Sequence, residues 1–286
     1  MSTFSIPAVV PGAGKSRRMG QPKLLLEFDG EPLIARVVRA LRDGGADPVI
    51  VVAPPADSAE GPPVSAAAQE AGAAVITPTK RPPEMRESVE LAVEHLGAAS
   101  PPAAFLLTPG DSPGITSAIV RQILDHWSHH LGSIVVPRAG GKSAHPIILP
   151  WDIALQISSL PVDQGINALV TANPDRVVYL ELPHPELASD LNTPEDLDRW
   201  QRRVRTIVNV RLFAVAKQRA GRAEIEVELA LPTTVADLRL ALALQHPALA
   251  ELAPRVMIAV NAEYAADYTL IMPGANVAVI PPVSGG

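Results

Sequence analysis

Thirteen residues near the start of the chain, Pro11-Gly12-Ala13-Gly14-Lys15-Ser16-Arg17-Arg18-Met19-Gly20-Gln21-Pro22-Lys23, combine three glycines with four cations and no acid. Glycine lets backbone N–H groups come close to a ligand. A loop of such donors with lysine and arginine beside it suits a polyphosphate. Gly14-Lys15-Ser16 imitates the end of a P-loop, but that motif needs a further glycine five positions before Gly14, and Val9 stands there. A solvated basic loop is the plain alternative.

Phosphoryl chemistry also needs hard oxygen ligands for a divalent cation. Gly110-Asp111-Ser112-Pro113 follows the apolar run Phe105-Leu106-Leu107. A carboxylate just beyond a buried parallel strand lies where open α/β sheets bind ligands. A second candidate is Asp190-Leu191-Asn192-Thr193-Pro194-Glu195-Asp196. The same residues read structurally as a loop and a helix start, with Pro194 in the first turn.

The third feature is the final pair, Gly285-Gly286, after Pro281-Pro282-Val283-Ser284. Glycines make a thin arm that can thread a narrow active site, and the two prolines stiffen its base. Any sulfur chemistry here must proceed without a thiol, because the 286 residues contain no cysteine. That also excludes disulfides, thiolate zinc sites and a cysteine nucleophile.

The elements that must hold these residues follow from hydrophobic periodicity. Short apolar runs at Ala8–Pro11, Val49–Ala53, Ala74–Thr77, Ala103–Thr108, Ser133–Pro137 and Val177–Leu180 read as strands. Leu33–Leu41, Arg86–Leu96 and Ile119–His130 read as helices between them. This alternation predicts an α/β, Rossmann-like domain with a mostly parallel sheet. Pro54-Pro55 and Gly61-Pro62-Pro63 read as connections. Pro194–Arg205 reads as a helix, acidic early and basic late, as the helix dipole favours. Beyond it come strands at Ile207–Phe213 and Ala223–Leu229, a helix at Val235–Leu244 with Thr234 as N-cap, and strands at Val256–Val260 and Val277–Ile280. We expect two domains, 1–205 and 206–286, the second a small α+β unit.

With 47% hydrophobic residues and 3% aromatic, the cores must be built from Ala, Val, Leu and Ile. A net charge of −6 argues against a nucleic-acid partner. Ile6–Val10 is too short for a signal peptide, and no run reaches the roughly 20 apolar residues of a membrane span. We expect a soluble, cytoplasmic protein with no membrane partner.

The first segment resembles the signature of the nucleotidyltransferases that attach a nucleotide to molybdopterin. Gly14, Ser16, Arg18, Met19, Gly20 and Lys23 are in register, while Pro11 stands for the usual Leu and Gly12 for the usual Ala. Ala13 resembles the cytidylyl branch rather than the guanylyl branch. Asp111 and the Asp190–Asp196 segment fall where that family holds its metal, with Asn192 in the motif's second position. Met85–Val89 resembles a helix start near the nucleotide, with Glu84 replacing a glycine. Ser143-Ala144-His145-Pro146 resembles a Gly-His-Pro loop with Ala144 for Gly, and Asp163-Gln164-Gly165 a later substrate loop. The resemblance implies Gly12, Ala13, Gly14, Ser16, Arg86, Ser88 and His145 at the nucleotide and its acceptor. It implies Arg18 and Lys23 in catalysis, and Asp111, Asp190 and Asn192 on Mg²⁺.

Residues Val208–Gly286 resemble the small subunit of molybdopterin synthase, a β-grasp sulfur carrier. The likeness lies in Val210–Ala214, Pro232–Leu238, Ala259–Asn261 and the terminal Pro-Pro-Val-Ser-Gly-Gly. It implies that an adenylating (E1-like) enzyme activates Gly286, that Gly286 then carries a thiocarboxylate, and that the partner is the synthase large subunit. Together the two resemblances imply molybdenum-cofactor biosynthesis, with CTP or GTP transferred to molybdopterin. Two other readings stay open: a sulfur carrier with a non-catalytic nucleotide-binding domain, and a sugar-nucleotide pyrophosphorylase-like enzyme.

Overall fold

The computed structural model describes residues 5–16, 19–28, 30–182, 187, 191, 193–201, 205–231 and 233–281. The chain divides into two compact units, Met1–Leu197 and Asp198–Gly286.

In the first unit, strands β1 (Ile6–Pro11), β4 (Ala46–Val52), β5 (Ala74–Ile76), β6 (Ala104–Leu107), β7 (Ile134–Ala139), β9 (Ile147–Pro150) and β10 (Val177–Leu182) line up in the order β10-β7-β9-β6-β1-β4-β5. The short strand β8 (Lys142–Ser143) pairs with β7, and β2 (Glu27–Phe28) and β3 (Glu31–Pro32) form a separate hairpin. All neighbours along the main order are parallel except at β9, which runs antiparallel to both β6 and β7.

The central parallel strands β1 and β6 are buried almost throughout, as expected where helices cover both faces, while β5 and β10 at the ends of the order are partly exposed. Alternate residues Val9, Ile50, Val52, Phe105 and Leu107 pack under helix α3 (Met85–Ala99), through Val89, Ala92 and Val93. The intervening Val10 points to the opposite face, where a Cβ on Gly110 would meet both Val10 and Ile34 of helix α1 (Leu33–Asp43). Helix α2 (Gly61–Glu70) and helix α4 (Ser117–Ser128) pack against α1. Short helices α5 (Trp151–Ala154) and α6 (Asn167–Ala172) follow β9.

Two expectations need correction here. Gly61-Pro62-Pro63 is not a connection but the first turn of α2. Prolines are accepted there because first-turn N–H groups have no partner inside the helix. The helix read as Pro194–Arg205 is α7 (Pro194–Gln201), and Arg205 already belongs to the next strand, paired with Ala230. The strand reading wins because alternation from Arg205 to Leu212 turns Val208, Val210 and Leu212 inward.

The second unit contains β11 (Arg205–Leu212), α8 (Ala214–Ala220), β12 (Glu224–Ala230), α9 (Val235–Gln245), β13 (Met257–Val260), β14 (Glu263–Ala265) and β15 (Val277–Ile280). Its sheet runs β12-β11-β15-β13-β14, with a parallel β11–β15 pair at the centre and antiparallel pairs elsewhere. A mixed sheet of this order with the longer helix α9 packed against it is the β-grasp arrangement. Thr234 does cap α9: its hydroxyl accepts the Asp237 N–H at 3.3 Å and Asp237 accepts the Thr234 N–H at 2.9 Å. The strand expected at Val256–Val260 is β13 and stops at Val260, because Asn261 and Ala262, at φ 51° and 70°, form the two-residue turn into β14. No described helix is long and apolar enough to cross a membrane.

The contact between α1 and α4 depends on Gly44, where a Cβ would fall 2.4 Å from Val120 Cβ. Gly44→Ala is expected to cost about 1–3 kcal/mol through overpacking, read as a lower urea midpoint with unchanged slope.

Candidate active site

β1 ends at Pro11, and the chain leaves it at the carboxyl edge of the sheet. The Gly12 N–H donates to the Val52 carbonyl at 2.8 Å, which fixes where the loop departs. A Cβ at Gly12 would press on that same oxygen at 3.2 Å, so the glycine is needed for close approach. Beyond it the Ala13, Gly14 and Lys15 amides meet no acceptor among the described residues. Ser16 closes the loop, its Oγ accepting the Lys23 N–H at 3.0 Å.

Lys23 then reaches across the sheet edge. Its ammonium is ion-paired with Asp111 and donates to the Leu191 carbonyl at 3.4 Å. Leu191 returns a bond, its N–H donating to the Asp111 carbonyl at 3.2 Å. Asp111 sits just past β6, with its side chain only 12% exposed against 19% for Lys23. Each charge therefore needs the other. A cavity of about 670 Å³ opens over these groups, lined by Gly12–Lys15, Lys23, Arg81, Ser88 and Asp111.

A second cavity of about 520 Å³ adjoins it, and Glu84, Met85 and Pro109 line both. His145, Arg86 and Asp163–Gly165 lie around the second. His145 Nδ1 is 3.4 Å from the Leu107 carbonyl. A carbonyl can only accept, so in the neutral ring Nδ1 carries the proton and Nε2 is the acceptor.

The structure thus gathers Gly12, Ala13, Gly14, Lys23, Ser88 and Asp111 around one cavity, with Ser16 closing its loop, and puts His145 and Arg86 at the other. Arg86 is engaged in the fold, donating to the Leu160 and Pro161 carbonyls at 3.2 and 2.8 Å and pairing with Glu87 and Glu90. Arg18, Asp190, Asn192 and Gly286 lie outside the described residues. The two replaced glycines have local explanations. Glu84 is the N-cap of α3, in a reciprocal capping box with Glu87. Ala144 is buried with its N–H on the Pro137 carbonyl at 2.8 Å, and is not among the positive-φ residues. The sequence reading missed Arg81, which donates to the Ala13 carbonyl at 2.8 Å. It sits amid Lys80, Pro82 and Pro83 and carries no motif of its own.

No group of three or more His, Cys, Asp or Glu side chains that could hold a metal occurs among the described residues. One carboxylate beside the glycine-rich loop still fits Mg²⁺, which keeps several waters and takes one or two carboxylates together with substrate phosphates.

Comparison with known proteins accords with this geometry. The MobA-like NTP transferase domain family matches residues 8–177. The chain belongs to that family. Residues 210–286 match the ThiS family. The MobA-like part is 46% identical over 48 residues to a probable molybdenum cofactor guanylyltransferase of Opitutus terrae, covering 17% of this chain and 24% of that protein. The chain thus spans about a quarter of that relative's length. The ThiS-like part is 32% identical over 79 residues to the molybdopterin synthase sulfur carrier subunit of Arabidopsis thaliana, covering 28% of this chain and 82% of that protein. That likeness makes it a member of the sulfur-carrier family. The MobA-like fold is shared with a nucleotidyl transferase from Methanothermobacter thermautotroptrophicus, at TM-score 0.57 and 24% identity over 69% of this chain and 96% of that one.

Lys23→Met would strand the Asp111 carboxylate. We expect a loss of about 1–3 kcal/mol, partly recovered by adding Asp111→Asn, in a double-mutant cycle of urea unfolding.

Proposed function

We propose that the chain is a two-part enzyme of molybdenum-cofactor biosynthesis. Its first unit transfers a nucleotide from CTP or GTP to molybdopterin, and its second carries sulfur. The observation that carries the transferase reading is the junction of the two cavities. One holds a phosphate loop, a lysine and a carboxylate, and the other opens beside it across Glu84, Met85 and Pro109. A triphosphate in the first leaves its α-phosphorus at that junction, open to a terminal phosphate of molybdopterin in the second.

The attacking phosphate oxygen forms a bond to the α-phosphorus in line with the leaving pyrophosphate, and no covalent enzyme intermediate is needed. The amides of Ala13–Lys15, with Lys23 and Arg18, stabilise charge on the leaving phosphates. Asp111, with Asp190 and Asn192, would hold Mg²⁺, which supplies charge neutralisation across the triphosphate. Leu191, between those last two residues in sequence, is bonded to Asp111, which supports the grouping. Ser88 bounds the nucleotide side; His145 Nε2, as an acceptor, and Arg86 bound the acceptor side. Ala13 favours cytidylyl over guanylyl transfer.

The sulfur-carrier reading rests on the ThiS-family match and the β-grasp unit. It takes Gly286 as the terminal residue. An adenylating E1-like enzyme would activate its carboxylate, and sulfur would displace AMP. With the large subunit of molybdopterin synthase as partner, the thiocarboxylate would then deliver its sulfur to the molybdopterin precursor.

Pyrophosphate release is measured with Mg²⁺, molybdopterin and either CTP or GTP, with Asp111→Ala as control. Release with one nucleotide, lost at least a hundredfold in the control, is expected. No release with either would leave a sulfur carrier with a non-catalytic first unit, and release with sugar phosphates instead would favour a pyrophosphorylase. Incubation with an adenylating enzyme, ATP and a sulfide source should exchange one oxygen for sulfur at Gly286. An unchanged intact mass would count against the carrier reading.

A further inference from the structure

We propose that Arg81 is a positioning residue that sets the phosphate loop before any nucleotide arrives. The inference rests on the transferase reading only for what the loop binds. Arg81 Nη1 donates to two successive loop carbonyls, Ala13 O at 2.8 Å and Gly14 O at 3.5 Å. In a trans peptide the carbonyl and the following N–H point in opposite directions. Drawing these two carbonyls onto the guanidinium therefore turns the Gly14 and Lys15 N–H groups away from it, side by side. Those amides are among the loop groups without an acceptor in the described residues. Two adjacent N–H groups facing the same way form an anion-binding nest.

Arg81 is itself held. Nη1 and Nη2 lie 3.4 and 3.3 Å from Glu60 Oε2, and its side chain is 17% exposed. Glu60 is the N-cap residue of α2, so the clamp runs from a helix end, through the guanidinium, to the loop. The pairing has an electrostatic meaning. Glu60 offsets the charge of Arg81, so a long-range pull on phosphate is not what this arrangement favours. It favours geometry: one planar fork that satisfies a carboxylate and two carbonyls at once. Lysine lacks that fork. Glycine at position 14 makes the clamp useful, since nothing lies within 4 Å of where its Cβ would be and no side chain at that position packs to hold the backbone.

The test compares wild type with Arg81→Ala, Arg81→Lys and Glu60→Gln. Two readouts are taken on the full chain. One is the rate of trypsin cleavage after Lys15 without nucleotide, followed by mass spectrometry. The other is the affinity for CTP and GTP with Mg²⁺ by calorimetry. Positioning predicts cleavage several-fold faster in all three variants at unchanged Tm. Nucleotide affinity should fall about tenfold in Arg81→Ala, hardly less in Arg81→Lys, and about threefold in Glu60→Gln. Full rescue of affinity by Arg81→Lys, or affinity lost with cleavage unchanged, would make Arg81 a direct phosphate ligand and overturn the proposal. If wild type binds neither nucleotide while cleavage still accelerates in the variants, the clamp stands and the transferase reading fails.

Discussion

An ammonium held against a buried carboxylate joins three stretches of chain that are distant in sequence. Lys23 closes the phosphate loop through its own N–H, and its side chain meets Asp111 past β6 and the carbonyl of Leu191. Neither charge could be left alone at this burial without a cost of a few kcal/mol. The pair therefore ties the sheet edge together: loop, carboxylate and the Leu191 segment converge on it.

Around that pair, the strands supply direction and the helices supply walls. β1, β4 and β6 are parallel neighbours, so Pro11, Val52 and the Gly110-Asp111 turn emerge along one edge. β9, wedged antiparallel between β6 and β7, follows the turn that bears His145, so this side chain reaches the same edge from the opposite chain direction. One reversed strand is thus what lets a second cavity adjoin the first.

Much of this was legible in the residues. Apolar runs located six of the strands in the large sheet, because buried parallel strands read as continuous hydrophobic stretches. The loop and Asp111 were legible because glycine and charge are sparse in such runs and stand out at their ends. β9 was not, since Ile147-Ile148-Leu149 lies between Pro146 and Pro150 and resembles punctuation more than a strand. α2 was hidden for the same reason, its prolines being helix starters in this context. The helix α8 between β11 and β12 and the short β14 carry too little periodicity to be read. Arg86 illustrates a different limit: its motif position implied ligand contact, and three dimensions add that, while lining the second cavity, it also ties α3 to the Leu160 and Pro161 carbonyls. Arg81, conversely, acquires meaning only through two carbonyls nearly seventy positions away, a relation no local pattern can encode.

The parallel pairing of β11 with β15 bears on how the second unit carries load. Val210, Arg211 and Leu212 lie beside Val277, Ala278 and Val279, and β15 is also laced to β13 on its other side. The strand that leads toward the chain's last residues is therefore the middle of the sheet, not an edge. Tension applied along β15 away from the start of β11 acts parallel to both strands, so their hydrogen bonds are strained together in shear rather than unzipped one after another. Load applied beyond β15 would therefore meet a mechanical clamp, and the body of the unit would keep its shape under it.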